Sequence, residues 1–183
     1  MTRALLEYLA DIKVTMFFAH NASLFDSILL LRLISSLRLA QPDLRLTATA
    51  RNVGGQIRGL DISYSDNVFH IKDSYLILKS SLRDLCVAYG VEEKGVFPHR
   101  YMSEETLGHK GAKPDIKFYN DLTVEAYEKV DKIVDMKELV TKYLSTDCVS
   151  LYHVISKFRS SVLEKFKVDC INRESAAGLA YVV

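Results

Sequence analysis

VTMFFAHNASLFDSILLLRL, residues Val14 to Leu33, carries two periodicities in immediate succession. Val14–Ala19 is a compact apolar run rich in β-formers, the pattern of a buried strand. His20-Asn21-Ala22-Ser23 turns the chain. From Leu24 to Leu39, the residues Leu24, Phe25, Ile28, Leu29, Leu31 and Leu33 predict a helix that is mostly buried. Ser23 followed by Asp26 is a variant capping box: the hydroxyl can accept an orphan amide proton, and the carboxylate favours the positive helix end. A strand handing over to a helix is the building unit of an α/β fold.

Upstream, Leu5, Leu6 and Leu9 give Thr2–Ala10 the pattern of a short amphipathic helix. Downstream, Pro42-Asp43 stops the helix, and three strands are expected at Leu44–Thr49, Gln56–Ser63 and Val68–Lys72. Gly54-Gly55 and Ser65-Asp66-Asn67 supply the turns, and loops this short make an antiparallel meander. Ser80–Gly90 is a short helix with Ser80 or Ser81 as its cap and Gly90 as its stop. Residues 91–122 hold two of the three prolines and read as a long surface loop. Val140, Leu144, Cys148, Leu151, Ile155, Phe158 and Val162 then recur at steps of three and four, an amphipathic helix of many turns. Glu174–Val183 starts as a further helix.

At 183 residues the length suits one domain, and 49% hydrophobic with 26% charged residues is the balance of an ordinary globular protein. A net charge of +1 gives no bulk attraction to nucleic acid, so any such binding needs a local surface. Cys86, Cys148 and Cys170 form no CxxC pair; buried reduced thiols are expected rather than disulfides or a zinc site. The longest apolar run, Ile28–Ile34, is interrupted by Arg32 and is far short of the ~20 residues that span a bilayer. No secretory signal opens the chain, so a soluble intracellular protein is expected.

Three constellations could carry chemistry. Asn21-x-x-x-Phe25-Asp26 stands where a strand ends and a helix begins, the place where α/β sheets bind ligands. A carboxylate there can hold a divalent metal and an amide can orient a substrate, although both residues also suit simple capping. Tyr143 and Asp147, four apart on the long helix, share one face beside the apolar stripe. Ser74 and Tyr75, at a strand exit, could contact a nucleic-acid strand through a hydroxyl and a stacking ring, or could merely link strand to helix.

In their order and spacing, FFAHNASLFDSILLL, KDSYLILKSSLRDLCVAYGV, the loop Lys94-Gly-Val-Phe-Pro-His99 and KYLSTDCVSLYHVI resemble the protein-primed family B DNA polymerases of phage, linear-plasmid and organellar type. The resemblance runs from about Val14 to the end and covers the 3′–5′ proofreading exonuclease region of that family. It implies a ribonuclease-H-like exonuclease fold, a mixed β-sheet flanked by helices, over residues 1–183. It implies metal-binding roles for Asp26 and Asp147 around Mg²⁺ or Mn²⁺, and a catalytic role for Tyr143 in orienting the attacking water or scissile phosphate. Asn21, Phe25, Ser74 and Tyr75 would contact the single-stranded DNA 3′ end; many relatives carry Leu where Tyr75 stands. A lysine between Lys94 and Lys142 would approach the phosphate. The resemblance further implies a role in DNA replication and a mitochondrial setting.

The chain also departs from the family pattern. The first exonuclease motif, Asp-x-Glu on an upstream strand, has no counterpart: none of the thirteen aspartates is followed two positions on by glutamate. Half of the expected carboxylates are therefore missing, and so are the polymerase palm and the strands that carry the first motif. The expectation is a fold incomplete at its N-terminus, with an open sheet edge, weak or absent metal binding and no hydrolysis by the chain alone. A non-catalytic single-stranded-DNA-binding module, or a structural α/β module, is the alternative.

Overall fold

The computed structural model describes residues 2–91, 95–120 and 122–183. Within them the chain forms two compact units, one of residues 1–82 with 155–183 and the other of residues 83–154.

The first unit is a mixed α/β layer. Helix α1 (Thr2–Asp11) leads to strand β1 (Met16–Ala19) and helix α2 (Asp26–Ala40), followed by β2 (Leu46–Val53), β3 (Gln56–Tyr64) and β4 (Asn67–Asp73). The expected meander forms: β2 pairs antiparallel with β3, and β3 with β4. Gly54 and Gly55 turn the first hairpin at φ values of 60° and 80°, open to glycine at no steric cost. β1 joins parallel to β4, with Ala19 opposite Asp73, and the sheet order is β1-β4-β3-β2. β1 is thus an edge strand with no ladder partner on its outer side among the described residues.

Side chains alternate across the sheet. Leu60, Ile62 and Tyr64 of β3, with Leu46 and Phe69, face Leu6 of α1 and Ile34 of α2 and form the core. The other face is polar, with Arg51, Asp61 and His70 joined in one cluster. A 3₁₀ turn (Ser74–Leu76) follows β4. The end of helix α5 (Met136–Phe166), the 3₁₀ turn Cys170–Asn172 and helix α6 (Ala176–Ala180) complete the unit around Val162, Cys170 and Leu179.

Helix α2 corrects two expectations. Only Ser27 and Ile34 are buried in it, while Leu24, Ile28, Leu29 and Leu33 are exposed. The sheet presents one surface to the helix, so residues apolar on every side cannot all be covered. Ser23 does not cap it: Phe25 holds the cap position without a side-chain bond, and the Ser23 hydroxyl is spent elsewhere.

The second unit holds most of α3 (Leu82–Tyr89), the antiparallel pair β5 (Lys110–Ala112) and β6 (Ile133–Asp135), α4 (Val124–Glu128) and the start of α5. Gly90, at φ 57°, closes α3. The stretch expected to be a surface loop is more ordered than that. It contributes β5, two 3₁₀ turns and the buried rings of Phe97 and Tyr119. Aromatic side chains widely spaced in sequence give no periodicity to read.

The long helix exists, and of the expected stripe Leu151 and Val162 are buried while Val140, Ile155 and Phe158 are partly so. Leu144 is 55% exposed and Cys148 is exposed, against the expectation of buried thiols. Ser150 and Val154 are buried beside the stripe, and Tyr143 and Asp147 are half-buried. In this part of α5 the polar residues sit on the covered side. No helix among the described residues is long and apolar enough to cross a membrane.

Candidate nucleic-acid interface

Strands β1 and β4 run parallel and end side by side, and the chain turns away from both ends in polar loops. Amides and carbonyls freed at such strand ends are available to ligands. Asn21 follows β1 at φ 64°, a left-handed conformation that asparagine tolerates better than most residues. Ser74 follows β4, and its hydroxyl donates to the Ala19 carbonyl at 3.1 Å. The ring of His20 links both ends, with Nδ1 3.0 Å from Ser74 Oγ and Nε2 2.9 Å from the Ser80 carbonyl.

Asp73 lies between them, 3% exposed. Its Oδ1 accepts from the backbone N–H of Asn21 at 2.8 Å and of Tyr75 at 2.9 Å. Its Oδ2 accepts from the Ser23 N–H at 2.9 Å and the Ser23 hydroxyl at 2.6 Å. Both loops are thereby tied to one carboxylate. Sequence reasoning passed over Asp73 and His20, because all their partners but the Tyr75 amide lie 50 to 60 positions away.

The structure brings Asn21, Ser74 and Tyr75 together at this strand end. Phe25 stands just beyond it, 64% exposed, and Tyr75 is 38% exposed with its ring edge-on to His20 at 5.6 Å. Asp26 is the first residue of α2, with an exposed side chain. Beside the strand end, Lys72 is 8% exposed and donates to the Ile171 carbonyl at 2.5 Å; burial holds its ammonium below the usual lysine range.

Tyr143 and Asp147 belong to the second unit. The Tyr143 ring stacks on Phe97, with centroids 4.6 Å apart, and meets His99 edge-on at 5.3 Å. These rings share a cavity of about 270 Å³ with Arg83, Tyr119 and Asn120. Phe97 and His99 come from the loop quoted for the family resemblance; Lys94 of that loop lies outside the described residues. The carboxylate of Asp147 has one buried oxygen, Oδ1.

Among the described residues, no group of three or more His, Cys, Asp or Glu side chains is placed to hold a metal ion.

Comparison with known proteins gives the chain its relatives. A "Probable DNA polymerase" of Neurospora intermedia is 27% identical over 185 residues, covering 91% of this chain. A "Probable DNA polymerase" of Agaricus bitorquis is 25% identical over 166 residues, covering 83% of it. The chain spans only 18% and 19% of the length of these relatives. No solved structure matches. The profile of DNA polymerase type B, organellar and viral, matches residues 11–183, which include both strand-end loops and the whole of α5, and the chain belongs to that family.

Proposed function

We propose that this chain is the proofreading region of a type B DNA polymerase, the part that receives a frayed single-stranded DNA 3′ end, built on a ribonuclease-H-like fold. One observation carries the reading: the hydrogen-bonded junction at the ends of β1 and β4 holds Asn21 and the Ser74–Tyr75 turn together, with the exposed rings of Phe25 and Tyr75 beside it. Amide and hydroxyl groups there suit contacts to a sugar–phosphate strand, and two accessible rings suit unstacked bases. The open edge of β1 is consistent with a further strand lying beside it in a longer polypeptide.

In this reading Tyr143, held by Phe97 and His99, orients the scissile phosphate or a water. Asp26 and Asp147 would be cation ligands in a complete site. In this reading the chain supplies the strand-binding surface, and cutting the strand needs the further carboxylates of a complete site. The family's organellar and viral membership supports a role in replicating an organellar genome or a linear plasmid, with a mitochondrial setting for the parent protein.

The test is fluorescence anisotropy of a labelled oligothymidylate at low and high salt, run beside a degradation assay in Mg²⁺ and Mn²⁺. Salt-dependent binding, weakened about 5- to 150-fold by Phe25→Ala or Tyr75→Ala, corresponds to the ~1–3 kcal/mol of one stacked base. Absence of binding at low salt overturns the reading. Robust degradation abolished by Asp147→Ala would overturn the inactivity of the chain.

A further inference from the structure

We propose that Asp73 is a positioning residue that joins the two strand-end loops into one strand-binding surface, and that it does not serve as a metal ligand. The proposal rests on the functional reading above and extends it to a residue outside the quoted binding positions. Asp73 closes β4 directly opposite Ala19 in the parallel ladder, so its side chain lies where both loops depart. A carboxylate has about four acceptor positions. All are taken here: two N–H groups on Oδ1, one N–H and one hydroxyl on Oδ2. A cation approaching Asp73 would have to displace a backbone amide from a group that is 3% exposed.

The bonds have a direction of consequence. Those to Asn21 and Ser23 pin the loop after β1, including the left-handed backbone at Asn21. The bond to Tyr75 starts the 3₁₀ turn that carries Ser74 and Tyr75. Hydrogen bonds to an ionised acceptor are shorter and about twice as strong as neutral ones, and burial keeps water from competing. The amide of Asn21 and the ring of Tyr75 are therefore placed by the same carboxylate, although 54 positions separate them in the chain.

Asp73→Asn preserves size and shape but converts one oxygen into a donor, which faces either the Ser23 pair or the Asn21 and Tyr75 amides. Hydrogen exchange followed by NMR is the first arm and needs no DNA. The amides of Asn21, Ser23 and Tyr75 are expected to exchange at least tenfold faster in the variant, while ladder amides of β3 keep their protection. Unchanged exchange at those three amides overturns the joint. Oligothymidylate affinity is the second arm, with a fall of about 5- to 20-fold expected in Asp73→Asn. That loss should be smaller on an Asn21→Ala background, where only the part carried by the Tyr75 turn remains, a non-additivity that a merely structural role does not produce. Equal losses on both backgrounds overturn the positioning role. If the parent chain fails to bind the oligonucleotide at all, the functional reading falls and the positioning role with it, and the exchange arm alone decides the joint. Ser23→Ala, which removes one of the four bonds, replaces Asp73→Asn in both arms should the latter not fold, with a smaller shift expected in the same direction.

Discussion

Phe97 and Tyr143 lie ring on ring, their centroids 4.6 Å apart and their planes 26° from parallel, although 46 positions of chain separate them. Phe97 is 6% exposed, so it anchors the pair while Tyr143 stays half-buried. Aromatic pairs contribute ~0.5–1.5 kcal/mol beyond the area they bury. Truncating a buried aromatic costs about 3–5 kcal/mol in all. Phe97→Ala is therefore expected to lower the thermal midpoint clearly and to flatten the near-UV dichroism of the tyrosines. Phe97→Leu should recover most of the stability and little of the dichroism. An unchanged midpoint in Phe97→Ala would show that the stack is not formed in solution.

A second relationship sits on the polar face of the sheet, where the Arg51 guanidinium passes over Gly59. A Cβ at position 59 would stand 2.1 Å from Arg51 Nη2 and 2.7 Å from the Ile71 carbonyl oxygen. The arginine could swing aside, but the ladder carbonyl could not. The same guanidinium holds Asp61 and lies 2.7 Å from Glu174, so moving it loosens the C-terminal segment as well. Gly59→Ala is expected to destabilise the fold by about 1–3 kcal/mol, the usual cost of overpacking. Urea denaturation measures it, and a loss under 0.5 kcal/mol, the scatter of neutral surface changes, would count against this packing.

The contrast between these residues and the sheet itself explains what was legible. The β2–β3–β4 meander was readable because its determinants are local: alternating side chains and turn glycines within a few residues of one another. The parallel seating of β1 on β4 depends on residues about 54 positions apart and leaves no trace in either strand's own pattern. Asn21, Ser74 and Tyr75 could be named from a family resemblance. The carboxylate that ties them could not, since a buried aspartate and a solvated one read alike. On α5 the periodicity gave the helix and its covered side at Leu151 and Val162, but missed at Leu144 and Cys148, because Tyr143, Asp147 and Ser150 count as polar until their partners are known.

Acid stability should carry a contribution from Asp169. Its carboxyl is held below the ordinary range, first by the Arg159 guanidinium that donates to it at 2.9 and 2.6 Å. A depressed carboxylate contributes stability that is complete above its unfolded value of about 4 and lost as pH falls through the folded value. Arg159 is 46% exposed, so solvent screening limits the pair to ~0.2–1 kcal/mol. Arg159→Gln is expected to lower stability by that amount at pH 7. The difference from the parent should vanish as the pH is taken well below 4. A gap that persists undiminished in acid would assign the effect to packing.

Thiol reactivity should separate the three cysteines. Cys148 is exposed, whereas Cys86 and Cys170 are buried. Burial also pushes the Cys170 thiol up, which lowers its thiolate fraction, and the thiolate is the species that is alkylated. Iodoacetamide at neutral pH should modify Cys148 first and reach the other two only after denaturant is added. Peptide mass mapping over time reads the order. Early modification of Cys170 would mean that the α5–α6 end opens readily.

Two residues of one helix test how α2 is used. Ile34 is 2% exposed and packs with Leu6 and Leu60, so Ile34→Ala leaves a cavity and should cost about 2–5 kcal/mol. Leu29 is 55% exposed, and Leu29→Ser should change stability by no more than ~0.5 kcal/mol. A helix buried on all sides would make the two losses comparable. The ratio therefore measures, in the isolated chain, whether the outer apolar side of α2 is covered. If Leu29→Ser instead costs as much as Ile34→Ala, something occupies that side in solution. Sedimentation at several protein concentrations then distinguishes a second copy of the chain, whose contribution grows with concentration, from an intramolecular cover, whose contribution does not.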